Sequence, residues 1–283
     1  MRFNSIADLP AILFVPGHKP ELFDKAIAGK PPAIVIDLED AVSIDRKADA
    51  RSVVHHWFAS RVPNETFAGL RINSPTNRVG LMDMARFFDG SIRVDFLVLP
   101  KVESAYEVQL IHRLSEGTPL ICTIESALGL RHAFDIAHAA PSVAALGFGG
   151  ADLAADLRAS MEWEPMLPAR ATLVQAAAAA GVGALDVPYL DLRDDSGLAA
   201  DCGRAKAMGF TGKFSIHPRH VGGIVDAFLP TEQEAVKARS ILAAAESSRG
   251  NAVAHEGRMI DEAILRSARR TVALAAAREG NVR

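Results

Sequence analysis

"AIVIDLED" (Ala33–Asp40) passes from four apolar residues into three carboxylates within eight positions. A strand buried on both faces has no use for such acids, whereas a strand whose far end opens into a pocket does. The stretch therefore predicts a parallel strand with chemistry at its C-terminal end. Seven more runs of the same kind lie around it: "AILFVPG" (11–17), "AGLRINS" (68–74), "DFLVLPK" (95–101), "LICTIES" (120–126), "AALGFGG" (144–150), "GALDVPY" (183–189) and "GKFSIHP" (212–218). Each is strand-length and nearly continuous in apolar character, and each ends at polar, Gly or Pro punctuation. Amphipathic segments such as "SAYEVQLIHRLSEG" (104–117) and "ARATLVQAAAAAG" (169–181) lie between them and read as helices. Eight such units predict an α/β fold, a (β/α)8 TIM barrel. An open doubly wound sheet would carry a Gly-rich phosphate loop after its first strand, and "FVPGHKPE" (14–21) is not one. Two further helical patterns, 231–248 and 257–280, lie beyond the eight units. The predicted organisation is a catalytic barrel over residues 1–230 and a C-terminal helical lid extension over 231–283.

Composition narrows the class. With 283 residues, 49% hydrophobic, the chain can bury a core of barrel size. A net charge of −3 with scattered Lys and Arg gives no nucleic-acid footprint. Cys122 and Cys202 are far apart, without a CxxC spacing, and read as buried thiols in a reducing compartment. "MRFNSIADLP" lacks the apolar region of a signal peptide, and the most apolar window, "AAAAAGVGAL" (176–185), is too short to span a membrane. The expectation is a cytoplasmic protein with neither membrane nor nucleic-acid partners.

Barrels keep their catalytic groups at the C-terminal ends of strands. Those positions hold Asp37, Glu39 and Asp40, then Arg71, Lys101, Glu125, Asp152, Asp186 with Tyr189, and His217. Glu125 and Asp152 end neighbouring strands, which run about 4.8 Å apart, so their oxygens would converge on one ion. An oxygen-only donor pair favours Mg²⁺, or Mn²⁺, over Zn²⁺. The alternative is that each acid caps the helix that follows it. Arg71 reads either as a bidentate clamp on a substrate anion or as a buried ion pair with Asp37 or Glu39, and the two are compatible. Lys101 reads as a Schiff-base lysine or as an ion-paired strand-end lysine. His217 reads as a base or as a loop residue whose backbone matters. Gly147, Gly149 and Gly150 admit close backbone approach by a small carboxylate.

The motifs "LFVPGHKPELFDKA" (13–26), "IDLEDAV" (36–42), "LRINSP" (70–75), "LPKVES" (99–104), "IESALGL" (124–130), "GFGGADL" (147–153), "MGFTGKFSIHP" (208–218) and "GRMIDEA" (257–263) occur in order. Together they resemble the citrate lyase beta-subunit-like branch of the HpcH/HpaI aldolase superfamily, which includes malyl-CoA and citramalyl-CoA lyases. The resemblance implies a homotrimeric, Mg²⁺-dependent carbon–carbon lyase. Its substrate would be a 3-hydroxyacyl thioester of the malyl-, citramalyl- or citryl-CoA type, cleaved reversibly to an acyl-CoA and a 2-oxo acid. It implies Glu125 and Asp152 as metal ligands and Arg71 as the clamp on carboxylate and enolate. It counts Phe14, Lys19, Arg71, Glu125 and the Ile216–His217 backbone among the substrate contacts, the last as part of a CoA-binding wall. It implies that the lid brings Asp261 to the site, from an adjacent subunit. Three departures stand out. Ala151 replaces the usual Glu before Asp152, Pro10-Ala11 replaces Arg-Ser, and Lys19 precedes Pro20-Glu21 rather than a basic cluster. The rival readings are a CoA-independent metal-dependent 2-oxo acid aldolase, a Schiff-base lyase using Lys101, and a catalytically silent acyl-CoA-binding relative. The lid acid argues against the first, and the intact carboxylate pair with Asp261 argues against the last.

Overall fold

The eight apolar runs are eight parallel strands in the computed structural model, which describes residue 3 and residues 5–247, 253–255 and 258–279. They are β1 (Ala11–Pro16), β2 (Ala33–Asp37), β3 (Phe67–Arg71), β4 (Phe96–Leu99), β5 (Leu120–Ile124), β6 (Val143–Phe148), β7 (Gly183–Asp186) and β8 (Gly212–Ser215). They close in chain order into a barrel, with β8 pairing back onto β1. Every residue of β2, β4, β5, β7 and β8 is buried. This is the pattern of strands that face the barrel interior on one side and helices on the other. The interior is filled by rings that lie over glycines. A Cβ on Gly69 would come within 2.4 Å of the Phe96 ring, and one on Gly147 within 2.8 Å of Phe214.

The outer layer comprises α1 (Phe23–Ala28), α2 (Lys47–Ser60), α3 (Arg78–Phe87), α4 (Ala105–Leu114), α5 (Ala127–Arg131), α6 (Ala133–Ala137), α7 (Gly150–Leu157), α8 (Trp163–Ala180), α9 (Asp195–Met208) and α10 (Pro218–Phe228). Asn77, Ser104, Ser126 and Asp194 accept backbone N–H bonds at the starts of α3, α4, α5 and α9. Gly181 and Gly209 end α8 and α9 in the left-handed conformation. Helix α8 begins six residues before the Ala-rich pattern. Pro165 falls in its first turn, where an amide hydrogen has no acceptor to lose, and the helix continues through Pro168.

The C-terminal segment departs from the expected pair of plain helices. Helix α11 (Glu232–Ser247) is followed by an antiparallel pair, β9 (Val253–His255) with β10 (Arg258–Ile260), and then by α12 (Glu262–Glu279). The "RMI" of "GRMIDEA" is thus a strand, and the helix starts only after Asp261. Helix α12 packs along α11, with Ala235, Ala238, Ala268 and Ala275 buried. Its last turn is tied to the end of α10, where Arg278 Nη2 meets Asp226 Oδ1 at 2.9 Å and Arg278 Nη1 donates to the Pro230 carbonyl. Among the described residues no helix is long and apolar enough to cross a membrane.

Candidate active site

The three acids of the opening stretch have three different fates. Asp37, 1% exposed, ends β2 by capping the turn that follows, because its carboxylate accepts from the amides of Glu39 (2.8 Å) and Ala41 (3.1 Å). In register beside it on β3 is Arg71, whose Nε and Nη2 each reach one Asp37 oxygen at 2.6 Å. Glu39 takes Arg71 Nη1 at 3.2 Å and, on its other oxygen, Lys101 Nζ at 2.6 Å. Asp40 is exposed. The turn itself is pinned from below. Lys47 Nζ donates to the carbonyls of Leu38 (2.7 Å) and Glu39 (2.6 Å), and Asn73 Nδ2 donates to Leu38. Asn73 is held in turn by buried Asp83, which also pairs with Arg51.

The two hydrogen bonds to Asp37 engage two of the five guanidinium N–H groups of Arg71, and Glu39 adds an ion pair. The Arg71 Cζ lies 4.7 Å from the centroid of the Phe14 ring, which packs edge-on against Phe214. Burial alone would lower the Arg71 pKa. Hydrogen bonds to Asp37 and the charges of Asp37, Glu39 and Glu125 outweigh it, so the guanidinium is firmly cationic. Arg71 opens with Phe14, Asp37, Glu125, Asp152 and Ile216 onto one cavity of 440 Å³ at the C-terminal rim of the barrel.

Glu125, one residue beyond β5, is 7% exposed. Burial pushes its carboxyl up to about 7, against the opposing pull of the Thr123 hydroxyl and Arg71. Both hydrogen bonds it accepts among the described residues, from Thr123 Oγ1 (2.5 Å) and the Lys101 amide (3.3 Å), fall on Oε1. Its aliphatic stem occupies the space that a side chain at Gly149 would need, since a Cβ there would lie 2.3 Å from Glu125 Cγ. Asp152 stands in the first turn of α7 and meets Lys101 Nζ at 3.2 Å.

Among the described residues there is no cluster of three or more His, Cys, Asp or Glu side chains able to cage a metal on their own. Magnesium does not require one, because it keeps several waters and takes one or two carboxylates. A buried carboxylate whose ionisation is opposed by its surroundings, with a second acid on the same cavity, fits a divalent hard cation in chemistry and in donor count.

Of the residues named from sequence, Phe14, Asp37, Asp40, Arg71, Glu125, Gly149, Gly150, Ala151, Asp152 and Ile216 line this cavity, Glu39 and Lys101 adjoin it through Arg71 and Asp152, and Lys19, His217, Asp261, Asp186 and Tyr189 do not line it. Lys19 is exposed and outside the lining, and His217 caps α10, its Nδ1 accepting from the Arg219 amide at 3.2 Å. Asp261 is exposed, caps α12 by accepting from the Ile264 amide at 2.9 Å, and is absent from the cavity lining of its own barrel. Asp186 is a correction. Its side chain is wholly buried behind β7, between Arg170 of α8 (3.1 Å) and Lys213 of β8 (2.5 Å), and Asp201 also pairs with Lys213 at 2.6 Å. Tyr189 donates to Asp194 and does not line the cavity. A Schiff base at Lys101 is opposed by its setting. Burial would lower its pKa, but Glu39, Asp40 and Asp152 together hold it well above the ordinary lysine value. The two thiols are inert, and burial pushes Cys122 up to about 12 and Cys202 up to about 11. Sequence reading missed Thr123, although its spacing of two from Glu125 on one strand signals a shared face. It included Lys47 in the motif that continues "IDLEDAV" but gave it no role, because that role depends on a turn geometry that no local pattern encodes.

Residues 11–218 match the family described as HpcH/HpaI aldolase/citrate lyase. The chain is 32% identical over 271 residues to the citrate lyase subunit beta of Haemophilus influenzae, covering 90% of this chain and 92% of the other. It is 31% identical over 289 residues to the L-malyl-CoA/beta-methylmalyl-CoA lyase of Rhodobacter capsulatus, covering 90% and 91%. Its fold superposes on the crystal structure of protein CitE from Mycobacterium tuberculosis in complex with magnesium, acetoacetate and coenzyme A. The TM-score is 0.80 at 32% identity, over 95% of this chain and 99% of that one.

Proposed function

The chain belongs to the HpcH/HpaI aldolase/citrate lyase family, and from that premise we propose that it is a Mg²⁺-dependent carbon–carbon lyase acting on a 3-hydroxyacyl thioester. The products of cleavage are an acyl-CoA and a 2-oxo acid, and the reaction runs in both directions. The observation that carries the reading is the doubly anchored Arg71 fork on one cavity with buried Glu125 and exposed Asp152. The magnesium, acetoacetate and coenzyme A held by the M. tuberculosis relative support the same ligand classes here.

Glu125 and Asp152 would hold the ion. When bound, it supplies Lewis-acid polarisation of the oxygen at the reacting carbon. Arg71, fixed by Asp37 and Glu39, turns its remaining N–H groups to the anion that develops on the thioester, a charge-assisted contact that strengthens as charge grows. Phe14 and Phe214 wall that anion off from water, and Ile216 offers an apolar surface to the thioester arm. Asp261 exchanges the proton at the enolate carbon. Asp261 does not line its own barrel's cavity, and in this reading a neighbouring subunit of a trimer supplies it.

The test is a panel of acyl-CoAs offered with glyoxylate, pyruvate or oxaloacetate in the presence of Mg²⁺. One pairing is expected to condense, with activity abolished by EDTA and by Glu125→Gln or Asp152→Asn. Full turnover in EDTA would overturn the metal assignment, and condensation with free acids alone would favour a CoA-independent aldolase.

A further inference from the structure

Lys101 leaves β4 in the left-handed backbone region at φ 55°, a conformation that is costly for any residue bearing a Cβ. The bend aims its amide at Glu125 Oε1 (3.3 Å) and its ammonium at Glu39 Oε1 (2.6 Å), Asp152 Oδ2 (3.2 Å) and Asp40 Oδ1 (3.4 Å). One ammonium, with three donors, therefore serves three carboxylates drawn from the β2 turn and the first turn of α7. Around the cavity stand five carboxylates, Asp37, Glu39, Asp40, Glu125 and Asp152; Arg71 and Lys101 form ion pairs with them, and Lys47 lies beneath on the carbonyls of the turn. Arg71 is committed to Asp37 by two bonds. Lys101 is the more exposed of the two, its side chain 41% exposed on an unbranched stem.

Building on the metal reading above, we propose that Lys101 is a resident counter-cation: it gathers Asp152 with Glu39 and Asp40, competes with the divalent ion for Asp152, and keeps the affinity for free divalent ions low. A unit positive charge that close to a ligand oxygen opposes an incoming dication electrostatically, and removing it lifts the opposition. If Lys101 only shaped the site, its loss would disorder Asp152 and weaken ion binding. Competition predicts the opposite direction.

The experiment compares Mn²⁺ and Mg²⁺ binding to wild type, Lys101→Met, Lys101→Gln and Lys101→Arg, by calorimetry and by the electron spin resonance of free Mn²⁺, without organic substrate. The two uncharged variants are expected to bind Mn²⁺ roughly tenfold more tightly than wild type, while Lys101→Arg, which keeps the charge, stays close to it. In EDTA the uncharged variants should melt below wild type, because the acids then repel, and should gain more from added Mn²⁺. Lys101→Gln retains a hydrogen-bonding head and stands in if Lys101→Met does not fold. Equal or weaker binding by the uncharged variants, with wild type binding, would overturn the proposal. An absence of ion binding by wild type and all variants would instead remove the metal reading on which it rests.

Discussion

Arg71 is oriented by acids that it also neutralises, so its charge and its direction come from the same contacts. A lysine in its place keeps the charge and loses the fork. Arg71→Lys should therefore lower kcat/KM by about 10²–10³, the range for removing one preorganised donor from a developing anion, and leave Mg²⁺ binding intact. Near-native kinetics would return Arg71 to a purely structural pair. Glu125 makes a second prediction, about pH. Burial raises its pKa to about 7, so in the metal-free fold its contribution to stability is complete below its ordinary value and is lost as pH rises through about 7. Ion binding needs the ionised form. The Mg²⁺-induced rise in Tm should therefore grow between pH 6 and pH 8, and binding at pH 6.5 should release a proton, read as a buffer-dependent enthalpy. Glu125→Gln should abolish both effects.

At the scale of elements, Asp261 serves α12 as a cap and is proposed to serve the reaction as a proton carrier, and the two roles separate by substitution. Asparagine caps about as well as aspartate, whereas alanine forfeits about 1 kcal/mol. Both Asp261→Asn and Asp261→Ala should stop solvent deuterium uptake into acetyl-CoA or propionyl-CoA, but only the alanine variant should lose stability in denaturant. Undiminished uptake by the asparagine variant would leave Asp261 a cap alone. The elements themselves were legible in different degrees. Strands buried on both faces announce themselves as unbroken apolar runs, and all eight lay where those runs are. The start of α8 was hidden by Pro165, harmless in a first turn, and by Pro168, which the helix tolerates inside it, and β10 by a run that also suits a helix. Within the site, sequence placed the acids at strand ends and singled out Glu125 with Asp152, but it could not tell which of the others face the cavity. Glu125 faces the cavity and Asp186 the helices because alternate residues of a strand point to opposite sides, and a one-residue difference decides which. The contact between Lys101 and Glu39 joins residues 62 positions apart and leaves no local trace.

For the molecule as a whole, the cluster of Asp186, Asp201, Arg170 and Lys213 fastens β7 and β8 to α8 and α9. Asp186→Ala would leave two buried cations short of a partner. The expected loss is about 3–5 kcal/mol of unfolding free energy, measured in denaturant, with the ion affinity of the remaining folded protein unchanged. Ion binding lost in proportion to stability would mean that the cluster also shapes the cavity. Helix α12, by contrast, is fastened at its far end. Arg278 grips the end of α10 on the side of the barrel opposite the cavity, and Asp261 lies 17 residues earlier in the chain, about 26 Å away along the helix. If, as proposed, that acid serves the cavity of another copy of the chain, two copies must meet before either turns over. Catalysis then inherits the mass-action law of assembly: specific activity should fall on dilution and recover when inactive protein carrying Arg71→Ala is added to supply arms. A turnover number that stays constant down to the lowest assayable concentration would mean that each chain completes its own site.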